Sequence, residues 1–287
     1  MKNMISENYN LFPEKIYKKD NEIYFFVNDD KYVMREYVKK SGIDELLQLS
    51  NEMYEKTKGN SSVLIPGVGN NYVYEYKRKK YILIKVNSIE RNILLDDIIY
   101  LTRSKSDNDS TTKNLEKYKK QIDDIETKLL EFNKEYPKIQ QSIDYFIGLS
   151  ENGIQLLGKL SREEKNQNEG TIIAKIENID EYNNEELNNP LNMEKNDYEL
   201  ALANYIKYRI YLLHVDYDEM ENIFRNDKIN HLKLYAYLLY QNYYLSDIVK
   251  ITRNKKEEKI IKKYIDNRKK YLDFLLYYAE KAKINMK

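Results

Sequence analysis

The chain holds two histidines, His214 and His231, and no cysteine. Two histidines nearly exclude a His-based triad or a multi-His metal site, and without thiols there is no disulfide frame, thiolate metal site or Cys nucleophile. One pattern could move a phosphoryl group. His214-Val215-Asp216 is followed by Asn222, and phosphoryl-transfer catalytic loops read His-x-Asp with an Asn five residues after the Asp: the Asp takes the hydroxyl proton and the Asn holds magnesium. Here Glu221 stands at that fifth position and the Asn is one late. The surrounding YLLHVDYDEMENIFRN reads as a helix end, a cap and a new helix, which makes Asp216 an N-cap instead. Gly67-Val68-Gly69 lacks the downstream Lys and Ser/Thr of a phosphate loop and precedes strand rather than helix, so it reads as a turn. Basic clusters at 77–80, 253–256 and 268–270 carry acidic neighbours and read as solvated turns and helix faces.

Composition narrows the classes further. The 287 residues suit one large or two smaller units, and 41% hydrophobic residues can fill their cores. Lys+Arg 48 against Asp+Glu 47 leaves a net charge of +1, which gives no global attraction to nucleic acid or anionic lipid. No apolar run reaches the ~20 residues of a membrane span. MKNMISENYNLFPEK lacks an apolar signal core, so the expected location is intracellular, in the cytoplasm where the chain is made. Twenty-nine tyrosines with no tryptophan have two readings: AT-rich coding, to match the abundant Lys, Asn and Ile, or a tyrosine-rich surface suited to packing or cross-linking.

The elements that must position any chemistry start with residues 17–38, YKKDNEIYFFVNDDKYVMREYV. Period-two alternation on both sides of Asn28-Asp29-Asp30 predicts an antiparallel hairpin, and a short strand at 15–17 precedes it. Leu46, Leu47, Leu49, Met53 and Tyr54 lie at helical spacing in a helix over 43–58 ended by Gly59. Residues 72–76 and 81–86 flank the basic turn Lys77-Arg78-Lys79-Lys80 as a second hairpin. Residues 14–87 thus predict one helix on a five-stranded antiparallel sheet. Beyond Asn87 the pattern turns helical. A helix is expected over 89–101 and a polar loop, the best candidate for local disorder, over 104–112. Leu115, Tyr118, Ile122, Ile125, Leu129, Phe132 and Tyr136 form a heptad seam ended by Pro137, and a second helix runs through Ile139–Leu157. A turn over 159–170, a short apolar run at 171–176 and an irregular stretch over 180–196 follow. Asp197 and Asp216 are expected to cap helices, and two more helices lie around Leu232–Tyr243 and Ile261–Ala279. The expected domains are 1–87, mixed α and β, and 88–287, helical.

Several stretches carry a family resemblance. LFPEKIYKKDNEIYFFVNDDKYVMREY resembles the opening of CotS/YutH-type bacterial spore coat proteins, which are kinase-like and related to aminoglycoside and choline phosphotransferases. NNYVYEYKRKKYILIKVN resembles their next hairpin and YFIGLSENGIQLL their long central helix. NPLNMEKNDYELALANYIKYRI resembles the Asp-Leu-Ala helix after the metal site, and LKLYAYLLYQNYYLSDI the penultimate helix. The resemblance runs in order through about the whole chain. It implies an α+β protein-kinase-like fold of two lobes, a small five-stranded antiparallel N-lobe and a mostly helical C-lobe.

Against that pattern the chain departs at its chemistry. The third-strand position that holds phosphates with Lys in kinases is Arg35, which keeps the charge but not the compact ammonium. The first turn, Lys18-Lys19-Asp20-Asn21, has no glycine for close approach to phosphate. The catalytic loop should fall near 171–180, TIIAKIENID, where no His-x-Asp with a spaced Asn exists, and no magnesium Asp is evident before Asp197. The resemblance therefore implies a pseudokinase without a complete phosphotransfer site, no cofactor, and a spore coat or spore-morphogenesis protein acting through contacts with other coat proteins, located in the coat. The alternative is a divergent ATP- and magnesium-dependent small-molecule phosphotransferase using Arg35, Glu52 and Asp180 or Asp216. A third reading is a helical adaptor whose seam at 115–136 binds a partner helix. Arg35 is expected to pair with Glu52, or Glu45, on the following helix, or else with Glu75 or water.

Overall fold

The computed structural model describes residues 1–284 except 20–21, 39–41, 88–92, 102–105, 108–109, 133–136, 164–168, 177–178, 215, 227 and 252–257. In chain order its elements are α1 (Lys2–Tyr9), β1 (Ile16–Lys19), β2 (Glu22–Val27), β3 (Asp30–Glu36), α2 (Ile43–Lys56), β4 (Val63–Leu64), β5 (Tyr74–Tyr76), β6 (Lys79–Val86), α3 (Leu95–Leu101), β7 (Ser106–Asp107), α4 (Ser110–Phe132), α5 (Pro137–Glu163), β8 (Glu169–Ala174), α6 (Asn184–Leu187), β9 (Met193–Asp197), α7 (Tyr198–Leu212), α8 (Tyr217–Phe224), α9 (His231–Leu239), α10 (Asn242–Ile251) and α11 (Glu258–Lys281). They form two compact units: residues 1–93 with 183–194, and residues 94–182 with 195–287.

The first unit is built on a six-stranded sheet in the order β1-β2-β3-β6-β4, with β5 also on β6, and every pair is antiparallel. It has one strand more than the five expected: Val63–Leu64, at the start of the stretch Val63-Leu64-Ile65-Pro66 that the sequence reads as extended, also pairs with β6. Both hairpin turns are two residues long. Val27 faces Asp30 across Asn28-Asp29, with Asn28 at φ 54, and Tyr76 faces Lys79 across Lys77-Arg78, at φ 50 and 62. Left-handed central residues match the right-handed twist of the strands.

Alternation gives each strand two faces. Ile23, Phe25, Tyr32, Met34 and Leu83 pack with Met4, Ile5 and Tyr9 of α1. On the other face Val33, Ile82, Ile84 and Val86 pack with Leu46 of α2 and with Leu191. The sheet is therefore covered on both faces, not one, and α1 is an addition to the sequence reading: eight residues, largely polar, carry too little periodicity to announce a helix. Helix α2 ends at Lys56, two residues short of the expected end; Lys58, left-handed at φ 51, turns the chain so that the Gly59 N–H donates back to the Tyr54 carbonyl at 2.8 Å, and Gly59 at φ 86 carries the chain away.

The second unit is helical around a small three-stranded sheet, β7-β8-β9. Its core is rich in tyrosine. Tyr205, Tyr237, Tyr240, Tyr243, Tyr244, Tyr264, Tyr271 and Tyr278 are all less than 2% exposed. Buried tyrosine needs a partner for its hydroxyl, and most find one: Tyr264 donates to Asp247 at 2.8 Å, Tyr211 to Gln241 at 2.9 Å, Tyr240 to Gln121 at 2.8 Å and Tyr205 to Glu219 at 2.6 Å. The tyrosine-rich surface expected for cross-linking is thus, for these residues, interior. Tyr118, Ile122 and Ile125 of the seam are likewise buried, and Tyr118 stacks on Tyr240 at 3.6 Å, so these residues are core and not a free face; the seam's Tyr136 and the side chains of Leu129 and Phe132 lie outside what is described. Pro137 opens α5, where a missing N–H is harmless. The stretch 104–112, expected as loop, contributes β7 and the first turn of α4 among its described residues. The apolar run at 171–176 gives β8, and 180–196 resolves into short helical turns and β9. The start of the helix expected at 89 and the basic cluster 253–256 lie outside the described residues. Among the described residues no helix is long and apolar enough to cross a membrane.

Candidate functional site

Arg35 lies in β3, hydrogen-bonded between β2 and β6 at the middle of the sheet. It belongs to the face of Val33, as alternation predicts, and is 8% exposed. Burying a guanidinium requires paired acceptors. The first comes from the neighbouring strand. The β2–β3 register sets Ile23 opposite Met34, which brings Glu22 opposite Arg35. Nε lies 2.7 Å from Glu22 Oε1, a charge contact off the hydrogen-bond line, and Nη2 donates to Oε2 at 3.2 Å. The second comes from α6, where Nη2 donates to Glu186 Oε1 at 2.7 Å and Nη1 to Oε2 at 3.3 Å.

Glu186 is itself held in place. Asn189 and Asn192 donate to its Oε2 at 3.0 and 2.7 Å, and the Asn183 side chain caps its backbone N–H at 3.0 Å. One residue earlier, Glu185 pairs with Lys31 at 2.5 Å, and the Lys31 ammonium stands 5.2 Å over the Tyr24 ring. The Tyr24 hydroxyl donates to Glu22. The result is a continuous ion network on one sheet face, with two cations from β3 and three carboxylates from β2 and α6. Burial alone would favour loss of the Arg35 charge. The Glu186 carboxylate, joined by Glu22, outweighs it, and the Arg35 pKa is raised. Burial and the bond to Glu22 likewise push the Tyr24 hydroxyl up.

The expected pairing of Arg35 with α2 is corrected: its partners are Glu22 and Glu186, neither Glu52 nor Glu45, and not Glu75. Glu52 pairs with Lys56 one turn along its own helix, and Glu75 sits in register with Lys80 at the β5–β6 edge. Asp180, in a short helical turn of the second unit, is half exposed and pairs with Lys263 at 2.7 Å. Asp216 accepts the N–H groups of Asp218 and Glu219 at 3.0 and 3.2 Å, as the N-cap of α8. Asp197 precedes α7 without bonding its N–H groups. Its carboxylate instead takes the Lys233 ammonium at 3.1 Å and hydrogen bonds from Thr111 and Tyr237. Among the described residues no group of three or more His, Cys, Asp or Glu side chains is placed to hold a metal ion.

Two of the residues that organise Arg35 differ in how visible they are in sequence. Glu22 follows from the hairpin register once the turn is fixed as Asn28-Asp29. Glu186 lies 151 residues away, and no local pattern marks it.

No family model matches the sequence, and no curated protein matches it. Solved structures do match in fold. An aminoglycoside phosphotransferase from Alicyclobacillus acidocaldarius superposes with a TM-score of 0.63 at 11% identity, covering 97% of this chain and 95% of that one. Spectinomycin phosphotransferase APH(9)-Ia, in complex with ADP and spectinomycin, superposes with a TM-score of 0.56 at 10% identity over 98% and 97%. Its AMP-bound complex gives 0.56 at 11% identity over 100% and 98%. The chain has the α+β, kinase-like fold of aminoglycoside phosphotransferases, an antiparallel sheet unit followed by a helical one.

Proposed function

We propose that this protein uses a kinase-like fold for binding rather than for phosphotransfer. The observation that carries the reading is the state of Arg35. The third-strand cation, which would meet phosphates in a kinase, directs its donors at Glu22 and Glu186. The two carboxylates available as a base are also engaged, Asp180 with Lys263 and Asp216 as a helix cap. The resemblance to spore coat proteins makes other coat proteins the proposed partners and the coat the proposed location. The test is turnover. Purified protein with magnesium, ATP and a panel of aminoglycosides, choline and protein acceptors is expected to form no phosphorylated product. Product formation that disappears in Asp180→Ala or Asp216→Ala would overturn the reading.

One observation favours a second reading, a divergent small-molecule phosphotransferase: the solved structures of similar fold are phosphotransferases, one of them bound to ADP and spectinomycin. ATP with magnesium would supply the transferred phosphoryl group. Under this reading Arg35 must exchange Glu186 for the nucleotide, and Glu186→Gln should raise turnover rather than leave it at zero.

A further inference from the structure

Residues 183–194 belong to the first unit although their chain neighbours on both sides belong to the second. They lie in the link from β8 to β9, neighbouring strands of one small sheet, and run into the start of β9. The excursion has a specific chemistry. It delivers Glu185 to Lys31 and Glu186 to Arg35, and it seats Leu191 against the cluster of Val33, Ile82, Ile84 and Val86. Lys31 and Arg35 are four residues apart on β3, so they share a face.

The way Glu186 is bound is that of a ligand in a site. One carboxylate receives the fork of a nearly buried guanidinium and two side-chain amides. A forked guanidinium recognises carboxylate and phosphate alike. The cations come from the sheet, while both amides travel with the segment itself. Withdrawing the segment would therefore leave Arg35 with Glu22 alone and Lys31 with no partner from α6. The ionic part is also the more accessible part: the Lys31, Glu185 and Glu186 side chains are 29%, 25% and 23% exposed, so an anion in solution can reach the edge of the network while Arg35 lies beneath it.

We propose that residues 183–194 are a built-in occupant of this sheet face, competing through Glu185 and Glu186 with ligands that present two neighbouring anionic groups to Lys31 and Arg35. The inference deepens the binding reading above, because it concerns the same cations, and gives that site its regulation: the segment is an internal anion that keeps the face closed. A ligand's apparent affinity is lowered by the fraction of time the segment is seated.

Inorganic tripolyphosphate, without magnesium or acceptor, is the probe. Calorimetric titration of Glu185→Gln/Glu186→Gln is expected to give binding at least tenfold tighter than the wild type. Adding Lys31→Met and Arg35→Met to that variant is expected to abolish it. A double variant that keeps the wild-type circular dichroism and cooperative melting but binds no tighter overturns the proposal. If the double variant does not fold, hydrogen exchange on the wild type decides: tripolyphosphate should accelerate exchange of the amides at 186–192, and unchanged exchange at millimolar probe overturns the proposal. These results are separable from turnover. A failed titration leaves a non-catalytic protein standing, and a phosphorylated product would remove that reading while leaving the competition intact.

Discussion

Glu186→Gln isolates the charge that holds α6 to the sheet. The substitution preserves shape but halves the acceptors. Glu186 takes Arg35 Nη2 on one oxygen and Arg35 Nη1, Asn189 and Asn192 on the other. A glutamine can keep its single oxygen toward the three donors, which turns its NH₂ against Nη2. One charge-assisted bond is then lost, worth about 1.5–3 kcal/mol. Breaking a buried pair outright costs about 3–5 kcal/mol, but Glu22 remains to neutralise Arg35 and Glu186 is partly exposed, so the expected loss is about 2 kcal/mol. Arg35→Met should cost a similar amount, and the double variant should recover most of one loss, giving a coupling of about 2 kcal/mol. The readout must be local, because the chain has no tryptophan and many tyrosines lie in the core of the helical unit. Native-state hydrogen exchange at Arg35 and Ile82, which face each other across β3 and β6, reports opening of this sheet. A loss of 2 kcal/mol raises their exchange about thirtyfold. A coupling below about 0.5 kcal/mol, the value of an exposed pair, would refute the reasoning.

Three further outcomes follow from the helical unit. A Cβ on Gly153 would lie 2.6 Å from the Ala236 carbonyl and 3.0 Å from the Tyr240 N–H nitrogen, so Gly153→Ala should push α5 off α9 and cost about 1–3 kcal/mol in urea unfolding, whereas Gly148→Ala, with nothing within 4 Å, should stabilise by about 0.5–1 kcal/mol. Lys233→Met removes the ammonium beside Asp197, 1% exposed, and should cost about 3 kcal/mol; burial already holds the Glu199 pKa above its ordinary 4.5 against the pull of Lys233, so protonation of Glu199 favours the folded state and the loss should shrink as pH falls through the raised Glu199 pKa toward 4.5. Burial holds His231 below its ordinary 6.5, so the unfolded chain binds that proton first: the His231 contribution to stability should be complete above about pH 6.5 and decline as pH falls toward the folded pKa, a slope that urea midpoints should lose in His231→Gln.

The parts of the fold legible in sequence are those whose cause is local. The β2–β3 hairpin, α2 with the turn through Gly59 that follows it, and the buried residues Tyr118, Ile122 and Ile125 of α4 each follow from a period or a turn residue inside one window. So does the N-cap at Asp216, where the competing phosphoryl-transfer motif fails on one misplaced Asn. What escaped has a non-local cause. Helix α1 is stabilised by the apolar sheet face beneath it rather than by its own sequence. Asp197 sits where a cap belongs, yet Lys233, Thr111 and Tyr237 outbid the helix N–H groups for its carboxylate. The tyrosines could not be sorted into surface and core by counting them, because a buried tyrosine depends on an acceptor such as Asp247 or Gln241 that only the packed helices supply.

At the candidate site the informative residue type was in view, and its meaning depends on geometry. A lysine in the place of Arg35 would offer a compact point charge, able to meet a phosphate but not to span two carboxylates in fixed directions. The guanidinium offers a planar fork with five donors. In this structure one edge faces Glu22 across the strand pair and the other faces Glu186 from α6. The same plane thus joins the hairpin to a segment 151 residues away. That use suits arginine and would not suit lysine, which ties the departure from the kinase pattern at this position to a structural cause: the cation of the third strand has become the anchor of an internal acidic segment.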